Sequence, residues 1–281
     1  VFMEFCNCYY SNYRSLLNFA SLIRISERFI DKILELDFID INQIDNDGYT
    51  ALALAASSGC VGNVKYLLDK GAIILPEPKP AGFKIPLHQA IKSWVDDPSE
   101  TIEVLIKSVS DIETVDDEGA NAIHIAAREG IKLIHILRNV VKGIDGSNSG
   151  FDRLLVSKDL KGNTALHYAA LEDTDAGVKF LLHILKKLGM RDEEYMTKNS
   201  EGKTFFDVLK FWKGEEAEVA VNRFLEANLY KDSEDVYKKL LSEIDRSSDD
   251  EDDKIKEITP AGGAGSGGAA SSAVGSEPGV T

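Results

Sequence analysis

The stretch Thr164-Ala165-Leu166-His167-Tyr168-Ala169-Ala170 decides the fold of this 281-residue chain, because related stretches recur along the sequence. The other four copies begin at Thr50, Ile85, Asn121 and Thr204. Successive copies start 35, 36, 43 and 40 residues apart. A repeat of this length predicts a stack of similar units, in which each unit buries its apolar face against its neighbours.

Each copy is predicted to open a helix. Thr50 and Thr164 offer hydroxyls that can cap a helix N-terminus, and Pro86 stands where a helix tolerates a missing N–H. A heavier apolar segment follows each copy and predicts a second helix, at 64–68, 102–106, 131–137, 178–185 and 219–225. A glycine two or three residues before each copy predicts a tight turn: Gly48, Gly82, Gly119, Gly162 and Gly202.

This order of turn, helix and helix, with a Thr-Pro-Leu-His-x-Ala core, resembles the ankyrin repeat. The resemblance implies an all-α solenoid of about six helix-turn-helix units, including atypical units at both ends. It also implies that His88, His124 and His167 hydrogen-bond across the turns and hold neighbouring units together. Asp207 takes the same place in the last unit.

We expect the chain to be divided as follows: an N-terminal extension at 1–11, an atypical N-terminal cap repeat at 12–44, an ankyrin array at 45–228 (about 45–78, 79–115, 116–158, 159–198 and 199–228), a C-terminal capping helix at 229–245, and a disordered tail at 246–281. The tail contains five consecutive acids, Asp249 to Asp253, followed by a run rich in Gly, Ala and Ser. Such a composition cannot bury enough apolar surface to offset its ordering entropy. The residues from Gly143 to Gly150 are predicted to form a polar loop.

The formal net charge of -15 argues against nucleic-acid binding, which needs a basic surface to neutralise phosphates. It allows a basic protein partner. Three cysteines, Cys6, Cys8 and Cys60, lack the spacing of a disulfide framework or a metal site, and this usage favours a reducing compartment.

The first twenty residues lack a basic start followed by an apolar core, and no apolar run reaches the ~18 residues of a membrane span. We therefore expect a cytoplasmic monomer without membrane contact, or a chain in a host cytosol if it is a pathogen's effector.

Catalytic and cofactor motifs are not found in the sequence. There is no glycine-rich phosphate loop, no Gly-x-Ser-x-Gly and no His-Glu-x-x-His. The three repeated histidines are a full repeat step apart, too far to share one metal ion. We predict no enzymatic activity, no cofactor and no metal. The chain is interpreted as a protein-protein interaction module, an adaptor or scaffold.

The resemblance implies that a partner contacts the turn tips and the exposed, concave face of the first helices. The candidate binding residues at these places are Asp47, Tyr49, Asp117, Glu118, Arg128, Leu160, Lys161, Leu171, Phe211 and Trp212. The acids give the first turns a negative edge, and the apolar side chains give the C-terminal half an anchor. Phe211 and Trp212 either contact a partner or close the core against a helix at 233–244.

Two more specific functions stay open. The chain is similar to the cytoplasmic regulators of Rel-type transcription factors, which combine about six ankyrin repeats with an acidic tail. The absence of their phosphorylation-degradation sequence before the repeats argues against a close match. Divergent repeats with inserts are also typical of ankyrin-type effectors, by which intracellular bacteria or viruses act on host proteins.

Overall fold

The computed structural model describes residues 16–22, 27–36, 39–93, 95–108, 112–145, 149–171, 175–214, 216–228 and 231–244. The proposed N-terminal extension and the proposed C-terminal tail lie outside these residues. The described residues form helices and no strands. The helices are α1 (Leu16–Leu22), α2 (Glu27–Leu34), α3 (Ala51–Ser57), α4 (Val61–Asp69), α5 (Pro86–Ile91), α6 (Ser99–Ser108), α7 (Ala122–Glu129), α8 (Ile131–Asp145), α9 (Ser149–Val156), α10 (Ala165–Ala169), α11 (Ala176–Lys187), α12 (Asp192–Tyr195), α13 (Phe205–Lys213), α14 (Ala217–Asn228) and α15 (233–244).

The helices form two layers. The five repeated stretches open α3, α5, α7, α10 and α13, and each of these first helices packs on the next one. The second helices α4, α6, α8, α11 and α14 pack on one another in the same order. Helices α1 and α2 continue the two layers at the N-terminal end, against α3 and α4. The all-α solenoid predicted from the period is confirmed.

Local chemistry explains where the first helices begin. The Thr50 hydroxyl accepts a hydrogen bond from the Ala53 N–H at 3.2 Å and so caps α3. Pro86 occupies the first turn of α5, where its missing N–H is tolerated. In α3 the run from Ala51 to Ala56 is buried throughout, because small side chains let neighbouring first helices approach closely.

All five predicted turn glycines have a positive φ, and at two of them the next turn also leaves no room for a side chain. Gly48 has φ +88°, a conformation that L residues rarely adopt. A Cβ atom built on Gly48 would lie 2.0 Å from the carbonyl oxygen of Gly82, in the next turn, and one on Gly119 would lie 2.8 Å from the Leu160 nitrogen. Gly48 and Gly119 therefore serve both the turn and the stacking of the repeats.

The predicted polar loop from Gly143 to Gly150 is wrong at both of its ends. Helix α8 continues to Asp145, and α9 begins at Ser149. Helix α9 is held because Phe151 and Leu154 have no exposed surface and join the core. The stretch from Met190 to Lys198 contains the single turn of α12.

The last helix folds back onto the array. Val236 and Leu240 of α15 are buried, and the Tyr237 ring stacks on the His135 ring of α8 with 3.6 Å between the centroids. Tyr237 also lies 5.9 Å from the Phe180 ring of α11. Helix α15 therefore covers second helices of two earlier repeats.

Candidate protein-binding surface

Four of the turns before the first helices begin with an acidic or amide side chain, which fixes the shape of the turn by hydrogen bonds to its backbone. In the fourth repeat, Oδ1 of Asp159 accepts the backbone N–H groups of Lys161 and Asn163, at 2.8 and 2.7 Å. The same pair of bonds, two and four residues ahead, is made by three other side chains: Asp45, Asp116 and Asn199. Sequence reasoning missed this role, although a polar residue three before each turn glycine was its signal.

Main-chain bonds connect three of the four pairs of neighbouring turns, and the Asp117 carboxylate, which accepts the Gly82 N–H, connects the second turn to the third. The Leu160 N–H donates to the carbonyl of Glu118 at 2.9 Å, and the Ser200 N–H donates to the carbonyl of Lys161 at 2.8 Å. The Lys84 N–H donates to the carbonyl of Gly48 at 2.9 Å. The turn tips therefore form a continuous ribbon whose exposed side chains keep fixed spacings.

Two of the three repeated histidines hold neighbouring repeats as the resemblance implied. Nε2 of His124 lies 3.1 Å from the carbonyl oxygen of Asn163, and Nε2 of His167 lies 3.1 Å from that of Lys203. In both residues Nδ1 accepts the backbone N–H of the residue that caps the helix. Nε2 must then carry the proton that is donated to the next turn.

His88 departs from this pattern. Among the described residues its Nε2 makes no hydrogen bond of good geometry, and the backbone of Thr114, earlier in the connection to the third repeat, acts on the ring instead of the turn residue before α7. Burial lowers the pKa of His88 to about 4, and burial also lowers the pKa values of His124 and His167. All three rings are therefore neutral at pH 7 and belong to the structure of the stack.

The candidate residues from Asp47 to Arg128 are divided between two places. Asp47 is exposed and Tyr49 is half-buried, both in the first turn. Asp117, Glu118 and Arg128 line a groove between the second and third repeats, together with Lys84 and Lys92, and we call this the charged groove.

Asp117 is engaged within the array. Its carboxylate lies 2.9 Å from the Lys79 ammonium and accepts the Gly82 N–H at 2.5 Å. These two donors hold the pKa of Asp117 below its usual value. Because Lys79 neutralises Asp117, Glu118 is the more available acid of the pair.

The apolar candidates are strongly exposed. The exposed fractions are 77% for Leu160, 51% for Leu171, 79% for Phe211 and 61% for Trp212. The Phe211 and Trp212 rings meet edge to face with 5.2 Å between their centroids. Both rings thus lie on the surface, and the alternative that they close the core against 233–244 does not hold.

One groove brings several candidates together. It lies between the fourth and fifth repeats and is lined by Lys161, Leu171, Val208, Phe211 and Trp212, with Glu118 also in its wall; we call it the aromatic groove. Asp47, Tyr49 and Leu160 line neither groove. Sequence reasoning missed Val208, which lies one turn before Phe211 and Trp212 on α13.

Within the part of the chain that the structure describes, no group of three or more His, Cys, Asp or Glu side chains could hold a metal ion. The described helices include none that is both long and apolar enough to cross a membrane.

Paired helices stacked in two layers behind a ribbon of turns define a helical repeat protein, a class that acts through extended surfaces. Two family models match the chain: the ankyrin repeat at residues 47–76 and ankyrin repeats in three copies at residues 86–192. The chain is an ankyrin repeat protein. Ankyrin repeats are in general protein-protein interaction modules.

Solved structures of the same fold support this assignment. A chain in the complex of the predatory endopeptidase Bd0816 from Bdellovibrio bacteriovorus with the immunity protein Bd3460 is 24% identical, with a TM-score of 0.55, covering 75% of this chain and 98% of that one. The human ASB11 ankyrin repeat domain is 21% identical, with a TM-score of 0.55, covering 75% of this chain and 84% of that one. At these identities the likeness concerns the fold. The comparison with curated protein sequences gives no match.

Proposed function

We propose that this chain is a non-catalytic adaptor or scaffold that holds a protein partner on its turn tips and on the concave face of its first helices, with the aromatic groove as the anchor. The observation that carries the proposal is the exposure of Phe211 and Trp212. Phe205 and Leu209 of the same helix have no exposed surface. These two side chains already pack α13 into the core, and Phe211 and Trp212 lie outside it.

The energetics favour a partner at this place. When another protein covers two adjacent aromatic rings that are in contact with water, the free energy of the system falls. Aromatic side chains also dominate the strongest contacts of interfaces. Leu171 and Val208 extend the same apolar surface along the groove. A partner that places an apolar side chain here buries all four groups at once.

Charge adds a second element of recognition. The chain's formal charge of -15 attracts a basic partner over a long range, and exposed Glu118 stands between the two grooves. Lys161 and Lys203 lie in the aromatic groove, so its own charge is mixed. We therefore propose that the acids mainly speed the association of the partner and that the aromatic rings mainly slow its dissociation.

We propose that the chain binds its partner as a monomer, which sedimentation equilibrium would check.

The test compares the interaction partners of four versions of the chain. Phe211→Ala and Trp212→Ala remove the anchor, and Val219→Ala removes an apolar side chain of α14 that is 57% exposed and lies outside the groove. Quantitative affinity purification should find a set of proteins that the wild type and Val219→Ala retain and that both groove variants lose. The melting temperatures of all four should agree. Retention of every partner by both groove variants would contradict the proposal.

A further inference from the structure

Helix α15 is attached to the second helices through a few apolar side chains, and Leu241 and Ile244 near its end are half-buried against the core. The Tyr237 and His135 rings are parallel within 2° at a centroid distance of 3.6 Å, and the Phe180 ring lies at the edge of this pair, 5.9 Å from Tyr237 and 6.1 Å from His135. Val236 and Leu240 are the remaining buried apolar side chains of the helix. A single helix of this length is not stable alone in water, so these contacts decide whether it stays in place.

The polar contacts of α15 add little to the free energy that holds this helix on the array. The Glu234 carboxylate lies 3.3 Å from Nε2 of His135, and the Lys239 ammonium lies 3.3 Å from Oδ1 of Asn228. The charged side chains are about two-fifths exposed, so solvent screens these pairs. The apolar contacts with Phe180 and His135 therefore dominate.

A buried histidine lies close to this contact. His183 follows Phe180 by one turn on α11, has no exposed surface, and neither of its ring nitrogens has a hydrogen-bond partner among the described residues. The charged groups that act on it are Lys187 on its own helix, Arg138 on α8, and Asp232 on the segment that leads into α15. Two cations and one carboxylate therefore act on His183, and no hydrogen-bond acceptor is available for an added proton on its ring.

His135 is placed differently. Burial lowers its pKa, Glu234 of α15 raises it, and Arg138 of α8 and Lys238 of α15 lower it. A proton on His135 finds the Glu234 carboxylate within 3.3 Å, so charging this ring is partly compensated. A proton on His183 finds no such partner, and this makes His183 the sensitive group.

We propose that α15 is a pH-sensitive latch: acidification charges His183, and α15 leaves α8 and α11 while the first helices stay packed. Release exposes the Phe180 and Tyr237 rings and brings water to His183. His183 lies one turn from Phe180, whose ring is 5.9 Å from Tyr237 of α15, and the charge of Asp232, directly before α15, acts on His183.

The size of the effect follows from proton linkage. Burial lowers the pKa of His183 to about 4, with Lys187 and Arg138 acting in the same direction. In the released state the ring regains an ordinary pKa of about 6.5. The released state then binds more protons, so its population relative to the closed state rises as the pH falls from 6.5 towards 4. Between pH 7.5 and pH 5.0 the increase is about 30-fold.

The experiment is hydrogen exchange on the full-length chain at pH 7.5 and pH 5.0, corrected for the intrinsic pH dependence of amide exchange. Peptides that cover 233–244 should lose protection by about 30-fold at pH 5.0. Peptides that cover α3 and α7 should stay better protected than 233–244 at pH 5.0, although the general loss of stability on acidification lowers their protection as well. Unchanged protection of 233–244 between the two pH values, or protection of 233–244 as high as that of α3 and α7 at pH 5.0, would overturn the proposal.

A pair of variants identifies the responsible ring. His183→Leu removes the main titrating group and should remove most of the pH response of 233–244, leaving the smaller part that His135 contributes. His88→Leu removes another buried histidine with a pKa of about 4, on a first helix, and should leave that response unchanged. The reverse pattern would refute the assignment to His183.

If His183→Leu does not fold, the wild-type protein decides the question by NMR titration. The His183 imidazole signals should change over the same pH range in which 233–244 loses protection. Titration of His183 without any loss of protection in 233–244 would show that the two are not linked.

Discussion

Asp159 shows how one side chain can organise a turn and a core at once. It is 7% exposed, and its second oxygen accepts the Tyr168 hydroxyl at 3.0 Å while the first accepts two backbone N–H groups. Removing the carboxylate leaves these donors without acceptors in a nearly closed site, and each such loss costs about 1–3 kcal/mol.

At this scale we expect Asp159→Ala to lower the free energy of unfolding by roughly 3 kcal/mol, as measured by urea denaturation. Asp159→Asn should cost less, because Asn199 fills the same position of the next turn and accepts the same two N–H bonds. Equal losses for the two variants would show that the charge of Asp159, and not its acceptor geometry, stabilises the turn.

The histidines show how far single residues could be predicted. The recurring position predicted the cross-turn bonds of His124 and His167, because stacking repeats brings one turn against the next. The same position failed for His88, since its bond depends on the placement of a neighbouring turn that the local sequence does not encode.

Among the helices, α9 is the one that the sequence pattern hid. Gly143, Gly146 and Gly150 predicted a loop, yet Phe151, Leu154 and Leu155 have the spacing of a helix with one buried face. The mixture of loop and helix signals within a few residues concealed this element. The five repeated helix pairs were predictable because their pattern recurs, whereas α9 occurs once.

Helix α9 supplies a test at the scale of elements. Phe151 has no exposed surface, so Phe151→Ala should lower the free energy of unfolding by about 3–5 kcal/mol through the loss of contacts and the cavity left behind. Phe151→Leu, which fills most of the space, should cost markedly less. Thermal and urea denaturation followed by circular dichroism would measure both. An unchanged stability of Phe151→Ala would mean that Phe151 is not packed in the core in solution.

Across the whole molecule, the return of α15 was beyond sequence reasoning. The pattern at 236–244 predicted a helix, but its partners His135 and Phe180 are distant in sequence, and no local spacing relates them to Tyr237. The resemblance placed Phe211 and Trp212 among the candidate binding residues but left open whether they close the core, and only the packed array shows that both are exposed.

Stability as a whole should fall on mild acidification. Burial lowers the pKa values of both His88 and His183 to about 4, against about 6.5 in an unfolded chain. A lowered histidine pKa stabilises the folded state above pH 6.5, and this stability is lost as the pH falls towards 4. Each ring contributes up to about 3 kcal/mol to that loss. Urea denaturation at pH 7.5 and 5.0 should show the decrease, and a chain equally stable at both values would contradict it.

The charge distribution of the whole molecule leads to a last prediction, about the kinetics of binding the partner found by affinity purification. Glu118→Gln removes an exposed charge but keeps the carbonyl that accepts the Leu160 N–H, so it should slow association at low salt and do little at 0.15 M salt, where the screening length is about 8 Å. Trp212→Ala removes an anchor, and a loss of about 2 kcal/mol should appear as a roughly 30-fold faster dissociation at any salt concentration. Surface plasmon resonance at several salt concentrations separates the two effects. If Trp212→Ala changed only the association rate, or if Glu118→Gln changed only the dissociation rate, the division between steering acids and retaining rings would be wrong.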